Sequence, residues 1–433
     1  MSLLTGPLRR RDVRLLLAGS TVSLVGDGVY GIAMAVLVLH LTGSATALAA
    51  MAVVNLVPRV VFGLLGGVLA DRLSRRVILA VCDVVRLLVV GVLGVLVLLG
   101  EPPFWLLLVL VAPLGAASGA ASPAFSAVLP DLVDEEELVA AGGLLGTVSP
   151  LAQMVVGPVL GGVLAAWNPG IALLVDAATF AVSAGCVLAL RPLREHEAGP
   201  RALPWADFRE GLAYVRRTPW LAVNLLSGLV ITFVVSGTMQ MLPVLVSRGY
   251  GAPTASFGYL IAVGGVAATV AAAVVGSRPR PRRPLASSYA AYALGLGAVG
   301  GLGLAPGPVV GAAFMVLFFA GATAGNVFQD SVLGSRVPRE LRGRVGSLDW
   351  VAATAAAPLS VVVAALSVEH AGIRPTYVVA GLAAAVCSIA GLVLLRRTGE
   401  PTDDATGESR DESAGEPTVD LSASVASEDA PAR

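Results

Sequence analysis

GGVLADRLSRR, from Gly66 to Arg76, places Asp71, Arg72, Arg75 and Arg76 between two apolar runs, 45–70 and 77–99. Each run exceeds the roughly 20 residues a helix needs to cross the hydrocarbon core of a bilayer. The charged break is therefore a loop at a membrane surface, and the same reading extends outward in both directions. Apolar runs of spanning length recur at 13–40, 45–70, 77–99, 104–129, 138–166 and 170–190, then at 220–247, 255–276, 285–304, 308–333, 345–368 and 375–395. The first follows Arg9, Arg10, Arg11 and Arg14 but is too long for a secretory leader and lacks its small-residue end, so it is read as a span.

Composition agrees. Hydrophobic residues make up 56% of the 433 and charged residues 13%, and the mean hydropathy of +0.82 lies far above that of soluble chains. The lipid bilayer is the expected surrounding. All 29 basic residues are Arg and the formal net charge is zero, so no basic field argues for nucleic acid. Cys82, Cys186 and Cys387 sit in apolar runs at scattered spacing, giving neither a disulfide framework nor a metal site. No cofactor is implied. The Ala, Gly, Val and Arg bias is associated with high-GC bacterial genomes, which makes the bacterial inner membrane the expected location.

Loop charge sets the orientation. Arginines cluster before span 1, in the 2–3 loop, in the 6–7 loop (Arg191, Arg194, Arg201, Arg209, Arg216, Arg217), in the 8–9 loop (Arg278, Arg280, Arg282, Arg283), in the 10–11 loop (Arg336, Arg339, Arg342, Arg344) and after span 12. The opposite loops hold almost none apart from Arg248 and Arg374. By the positive-inside rule both termini are cytoplasmic. The 4–5 loop is the odd one, with Asp131, Asp134, Glu135, Glu136, Glu137 and no base. Acidic residues contribute little to that rule, so the even count stands.

The expected fold is an all-α membrane protein of twelve transmembrane helices in two six-helix bundles, 1–190 and 220–397. Between them, 191–219 forms a cytoplasmic linker in which WADFREGLAYVRR aligns Trp205, Phe208, Leu212 and Val215 on one helical face, the pattern of an interfacial helix. Residues 398–433 are acidic and polar, too poor in apolar surface to offset chain entropy, and are expected to be a disordered tail. The halves carry a weak repeat. TGSATALAAM before span 2 resembles YGAPTASFGYL before span 8, roughly 208 residues later, and Pro158 and Pro358 sit at comparable places in spans 5 and 11. Parallel repeats of this kind place a substrate site at mid-membrane between the halves.

The loop quoted at the outset resembles the major facilitator superfamily signature GxxxDRxGRR: Gly67, Asp71, Arg72, Arg75 and Arg76 match, and Ser74 replaces the second Gly. Gly67 lets two helix ends approach, and Asp71 can accept bonds from an exposed helix N-terminus. The resemblance implies that this partner is helix 11, that Arg75 pairs with an acid ending helix 4, for which Asp131 fits, and that the set latches the halves in an outward-open state. In span 5, Gly157, Pro158, Gly161 and Gly162 resemble the GPxxGG motif of the superfamily's proton antiporters, with Gln153 in place of the upstream Gly. A Pro kinks a helix and glycines allow tight packing; the resemblance implies a segment that limits leakage during rocking. PLGAASGAA in span 4 has the small residues of the family's helix 4 motif but no Arg, which puts a proton mechanism using that Arg in doubt.

Coupling is therefore sought among other intramembrane charges, which are expensive in lipid and functional by default. Asp27 lies 13 residues beyond Arg14, about 20 Å into the first span, on one face with Ser20, Ser23, Tyr30 and Met34. Arg59 lies 12 residues before Asp71, about 18 Å deep. We expect Asp27 and Arg59 to pair in one state and Asp27 to take up a proton when they separate. Asp176 is a second titrating candidate, while Asp83 and Arg86, three apart, read as a local pair. Asn224, Thr232, Ser236, Met239 and Gln240 in span 7, with Phe314, Phe318, Asn326, Gln329 and Asp330 in span 10, are cavity candidates. Asp349 and Trp350 read as a cap or gate.

No GxxxxGK[ST] is present, so ATP hydrolysis is excluded and no enzymatic activity is expected. The resemblance over 3–397 is closest to the superfamily's bacterial drug, macrolide and enterobactin exporter branch, carried by AGSTVSLVGDGVYGIAMAVLVLHLTGSATAL (18–48). It implies export of an amphipathic small-molecule substrate in exchange for protons, by a chain expected to act as a monomer. Proton-coupled uptake of a metabolite and a non-transporting membrane sensor are the alternatives. A cavity of Ala, Val, Gly and Met does not name its cargo.

Overall fold

A computed structural model describes residues 7–72, 74–191 and 204–398. The expected tail beyond Thr398, and Arg194 and Arg201 of the linker, lie outside the described residues. Twelve long helices follow in order: α1 (Arg11–Thr42), α2 (Ala45–Arg72), α3 (Arg75–Leu99), α4 (Phe104–Leu132), α5 (135–167), α6 (Pro169–Leu188), α7 (219–249), α8 (Phe257–Gly276), α9 (Pro284–Leu304), α10 (Pro308–Arg336), α11 (Arg339–Ala371) and α12 (Ile373–Thr398). Among the described residues there is no strand. Among the described residues eleven helices are long and apolar enough to cross a membrane, and α11, 33 residues long, carries a further apolar stretch at Ala356–Ala371.

Local chemistry explains the breaks. Gly43 ends α1 at φ 60°, with its N–H on the Leu39 carbonyl at 2.9 Å, a left-handed cap that favours glycine. Its counterpart in the repeat, Gly251, has φ 63°, so both resembling segments place a glycine in the left-handed region. Asn168 starts α6 by accepting the Gly170 N–H at 2.8 Å, with Pro169 at the first helical position. Two spans expected to be regular are not. α5 widens into a π turn at Ala152–Val156 just before Pro158, and α7 breaks at Met241 and widens at Leu245–Gly249 just after Pro243. A proline lacks the N–H of the helical ladder, and local widening absorbs the mismatch.

Packing repeats between the halves. α2 packs on α4, α3 on α4 and α6, and α1 on α5 and α6; α8 packs on α10, α9 on α10 and α12, and α7 on α11 and α12. These are the same pairs displaced by six helices. Lipid offers no hydrophobic drive for helix association, so small residues must let backbones close up. A Cβ on Gly115 or Gly119 of α4 would collide with the Asn55 or Arg59 carbonyl of α2, and one on Gly381 of α12 with the Gly300 backbone of α9. Outward surfaces are apolar: Val77, Val81, Val84, Leu88, Val92, Val95 and Leu99 form one exposed stripe along α3, opposite its buried face.

The halves meet along two seams, α2 on α11 and α5 on α8. At the end away from the arginine-rich loops they are tied together. Arg248 donates to the Gly43 carbonyl and lies 3.6 Å from Glu369, which accepts the Ala45 N–H at 3.1 Å. At the arginine-rich end, a Cβ on Gly142, Gly143 or Gly146 of α5, Gly276 of α8 or Gly343 of α11 would meet nothing within 4 Å. Among the described residues these glycine faces of α5, α8 and α11 are unpacked. The linker helix, Pro204–Arg217, lies against α11: Gly211 packs on Leu348 and Arg344, Glu210 pairs with Arg344 at 2.6 Å, and Val215 is buried with Val345. Part of the face expected to meet lipid is thus used on protein. The side chains of Trp205 and Phe208 lie outside the described part.

Candidate functional site

Asp27 stands on α1 between two glycines, and each serves a close approach. A Cβ on Gly26 would collide with the Thr179 hydroxyl and an Asp176 carboxylate oxygen of α6. A Cβ on Gly28 would fall 2.7 Å from the Gln153 carbonyl oxygen and 2.8 Å from Gly157 Cα of α5. The Gly-Asp-Gly sequence therefore holds a carboxylate where α1, α5 and α6 converge. Gly161 extends the α1 seam, with its Cβ position 2.9 Å from Val29 Cα, and Gly162 faces the Ala255 carbonyl at 3.1 Å. A Cβ on Gly258 would meet the Pro158 carbonyl oxygen at 2.5 Å. The glycine–proline segment of α5 is thus packed on both α1 and the start of α8.

Asp27 and Arg59, expected to pair in one state, form no ion pair within 4 Å among the described residues. Arg86 lies on α3, 3.6 Å from Asp83, with both side chains nearly buried at 12% and 8% exposure. Its guanidinium sits over the Phe180 ring at 5.4 Å, a cation–π contact. Asp83 accepts the Ser183 hydroxyl at 2.7 Å, and Thr179 lies 3.3 Å from Asp176 Oδ1. Asp176 is 1% exposed, and its Oδ2 has no hydrogen-bond partner among the described residues; neither has Arg86 Nε. Asp83, Arg86 and Asp176 thus lie together between α3 and α6, and half-buried Asp27 enters from α1 next to Gly26, whose Cβ position touches Asp176. Sequence spacing assigned Asp83 and Arg86 to each other but missed their place beside Asp27. The signal was present: Arg86 lies ten residues past Arg76, about 15 Å deep.

Two cavities of about 280 Å³ lie near this cluster and in the other half. The first lies between the halves, where Tyr30, Met34 and Arg59 face Met239 and Gln240, with Asn55 and Met51. The second lies within α7, α9 and α10 and is lined by Thr232, Ser236, Phe318, Asn326 and Gln329 with Tyr289 and Tyr292. Tyr292 bonds to Asn326 at 2.6 Å and reaches Gln329 at 3.1 Å. Neither tyrosine was singled out from sequence, although three-residue spacing on an apolar helix puts them on one face. Ser23, Asn224 and Phe314 line neither cavity. Ser23 and Asn224 are buried, and Phe314 packs over Gly301.

The loop that opened the sequence reading is placed in part. Arg75 bonds Asp131 at 2.5 Å and the Ala127 carbonyl at 3.2 Å, with Asp131 2% exposed. Arg76 donates to the Leu188 carbonyl. The surroundings of Gly67 and the side chains of Asp71, Arg72, Asp349 and Trp350 lie outside the described part. The acidic 4–5 loop finds bases at a distance in sequence: Arg10 pairs with Asp134 and lies 2.8 Å from Glu137. The bond to Asp134 raises the Arg10 pKa above its ordinary value.

Residues 16–351 match the profile of the Major Facilitator Superfamily. The chain is 26% identical over 384 residues to the uncharacterized MFS-type transporter YfiS of Bacillus subtilis, covering 86% of this chain and 90% of that one. It is 26% identical over 353 residues to the enterobactin exporter EntS of Shigella boydii serotype 4, covering 76% and 79%. Its fold matches a crystal structure of the nucleoside transporter NupG with a TM-score of 0.70 at 12% identity, covering 88% of this chain and 99% of the other.

Proposed function

Because the chain belongs to the Major Facilitator Superfamily, it is a multi-pass membrane transporter and not an enzyme, and we propose that it exports amphipathic small organic molecules by proton antiport with alternating access. The observation that carries the reading is the position of Asp27, a carboxylate set between Gly26 and Gly28 at the convergence of α1, α5 and α6. A proton arriving there changes the charge inside the first bundle, beside the α5 segment that also packs on α8 of the second. Similarity to an enterobactin exporter supports the outward direction, as does the Gly157, Pro158, Gly161 and Gly162 segment packed on α1. The first cavity, with Tyr30, Met34, Met239 and Gln240, receives the apolar body of the cargo, and Thr232, Ser236, Phe318 and Asn326 extend the surface in the second half.

In this reading 1–190 and 220–397 are the rocking bundles, 191–219 ties them together on the cytoplasmic side, and both termini lie in the cytoplasm of a bacterial inner membrane. The bases and acids that meet at Arg10–Asp134 and Arg75–Asp131 favour one common side for the 4–5 and 2–3 loops. Asp27 and Asp176 carry the proton, and Arg59, exposed in the cavity between the halves, approaches Asp27 in the opposite state. The working unit is a monomer. The test uses membrane vesicles, an imposed proton gradient and a lipophilic fluorescent dye. With the periplasmic face made acidic in both preparations, inverted vesicles concentrate the dye and right-side-out vesicles do not. Accumulation in right-side-out vesicles alone would reverse the direction, and absence of gradient-dependent flux in both would remove the transport cycle.

A further inference from the structure

We propose that Arg86, held by Asp83, is the fixed countercharge of the buried proton site formed by Asp27 and Asp176, a place that sequence spacing gives to Arg59; this rests on the proton-antiport reading. Arg86 and Asp83 are positioning residues: they set how tightly the carboxyl pair holds its proton without touching cargo.

The geometry points to Arg86 in three ways. It is nearly buried, whereas Arg59 is exposed in the cavity. Its orientation is held from two helices, by Asp83 one turn earlier on α3 and by the Phe180 ring of α6. Its Nε is left without a partner among the described residues, and so is Oδ2 of Asp176. Buried unpaired polar atoms are costly, so both are available to a group that changes its protonation or position. Charge counting leads to the same place. With Asp27, Asp83 and Asp176 all ionised, one guanidinium leaves two negative charges uncompensated in a region walled by apolar helices, and such charge is disfavoured unless paired. Binding one proton halves that excess. The charged and titratable groups around Asp27 are Tyr30 on its own helix, Arg59 on α2, Asp83 and Arg86 on α3 and Asp176 on α6. From α5 the uncharged Gln153 carbonyl, Gly157 and Pro158 approach the adjoining Gly28. Arg86 is the cation in this set that does not face the cavity between the halves, and it can serve the site in every state of the cycle. Span 4 contributes no Arg at all, so α3 supplies the positive charge.

The sign of each substitution follows from Coulomb's law. Removing Arg86 takes away the charge that favours ionised carboxyls, and the site holds its proton to higher pH. Removing the charge of Asp83 frees Arg86 to act on Asp27 and Asp176, and the site releases its proton at lower pH. The experiment is a pH titration of the protonated-carboxyl infrared band of the full chain in liposomes, which requires neither cargo nor flux. Arg86→Gln should move the midpoint upward by about one pH unit or more, a tenfold change in proton affinity. Asp83→Asn should move it downward, and Arg86→Lys should stay near the wild type. Asp27→Asn combined with Asp176→Asn should remove the component of the band that Arg86→Gln shifts and leave the titration of the other carboxyls. A midpoint unmoved by Arg86→Gln, shifts of the same sign from both substitutions, or a shifting component that survives the double variant overturns the proposal. Should Arg86→Gln not fold, Asp83→Asn reads the same charge with the opposite sign. The dye assay separates the two readings: flux without the paired shifts leaves export standing and removes Arg86, and the paired shifts without flux do the reverse.

Discussion

A methyl group added at Gly28 has nowhere to go, because the Gln153 carbonyl and Gly157 Cα already lie within 2.8 Å of its position. Gly31, one turn later on the same helix, faces nothing within 4 Å. Gly28→Ala should therefore lower the stability of the detergent-solubilised protein by about 1–3 kcal/mol, the usual cost of overpacking. Gly31→Ala should leave it unchanged or raise it slightly, and thermal unfolding of the two side by side is the measurement. The neighbouring Asp27→Asn should behave differently, keeping the fold while removing gradient-driven accumulation of dye in inverted vesicles. Full efflux by that variant would show that the proton is carried elsewhere. Depth counted along a helix was enough to single out Asp27 and Asp176 from sequence, because 1.5 Å per residue converts position into depth directly. It paired Asp27 with Arg59 and read Arg86, at a comparable depth on another helix, only with Asp83. Which of them faces Asp27 is a matter of helix rotation and packing, set by glycine contacts from α4, α5 and α6 rather than by spacing.

At the scale of elements, apolar length was sufficient to locate eleven spans to within about three residues, since lipid leaves a chain few other options, while α11 begins at Arg339, ahead of the expected 345. Irregularities were not legible in the same way. Pro158 and Pro243 are visible in the sequence, but whether a proline bends, breaks or widens a helix depends on which carbonyl its neighbours can satisfy. The acidic 4–5 loop was equally opaque, because its partners Arg10 and Arg75 lie 124 and 56 residues away from the acids they meet. That pairing predicts a clear asymmetry between two acids of one loop. Asp134 is 76% exposed, whereas Asp131 is 2% exposed against an Arg75 that is itself 22% exposed. Asp134→Asn should cost nothing measurable, as for most surface ion pairs. Asp131→Asn leaves a guanidinium without its carboxylate and should cost roughly 3 kcal/mol, the low end for breaking a buried pair. Equal thermal stability of the two variants would mean that α3 and α4 are not held together by this bond.

For the whole molecule, the ties at the end away from the arginine-rich loops hold one side of the equilibrium that a rocking transporter needs. Arg248 and Glu369, both in the second half, hold the Gly43–Ala45 turn of the first half through its backbone: a carbonyl for the cation, an N–H for the anion. The bonds to Gly43 and Ala45 must break if that end is to open, so weakening them shifts the population toward the opposite state, where the arginine-rich end closes. A charge-assisted hydrogen bond contributes about 1.5–3 kcal/mol, and loss of 1.4 kcal/mol changes a two-state ratio about tenfold. The reporter is Gly142→Cys, placed on the open stretch of α5 in a chain whose Cys82, Cys186 and Cys387 are replaced by Ser or Ala. In inverted vesicles a membrane-impermeant thiol reagent should modify it rapidly while the latch is intact. Glu369→Gln weakens the anion's bond and its pairing with Arg248 without changing its shape, and should slow modification severalfold; Arg248→Ala should slow it further. Unchanged labelling in both variants would mean that the turn is held closed by the α5–α8 and α2–α11 seams alone, and that the arginine and glutamate only decorate an interface fixed by packing.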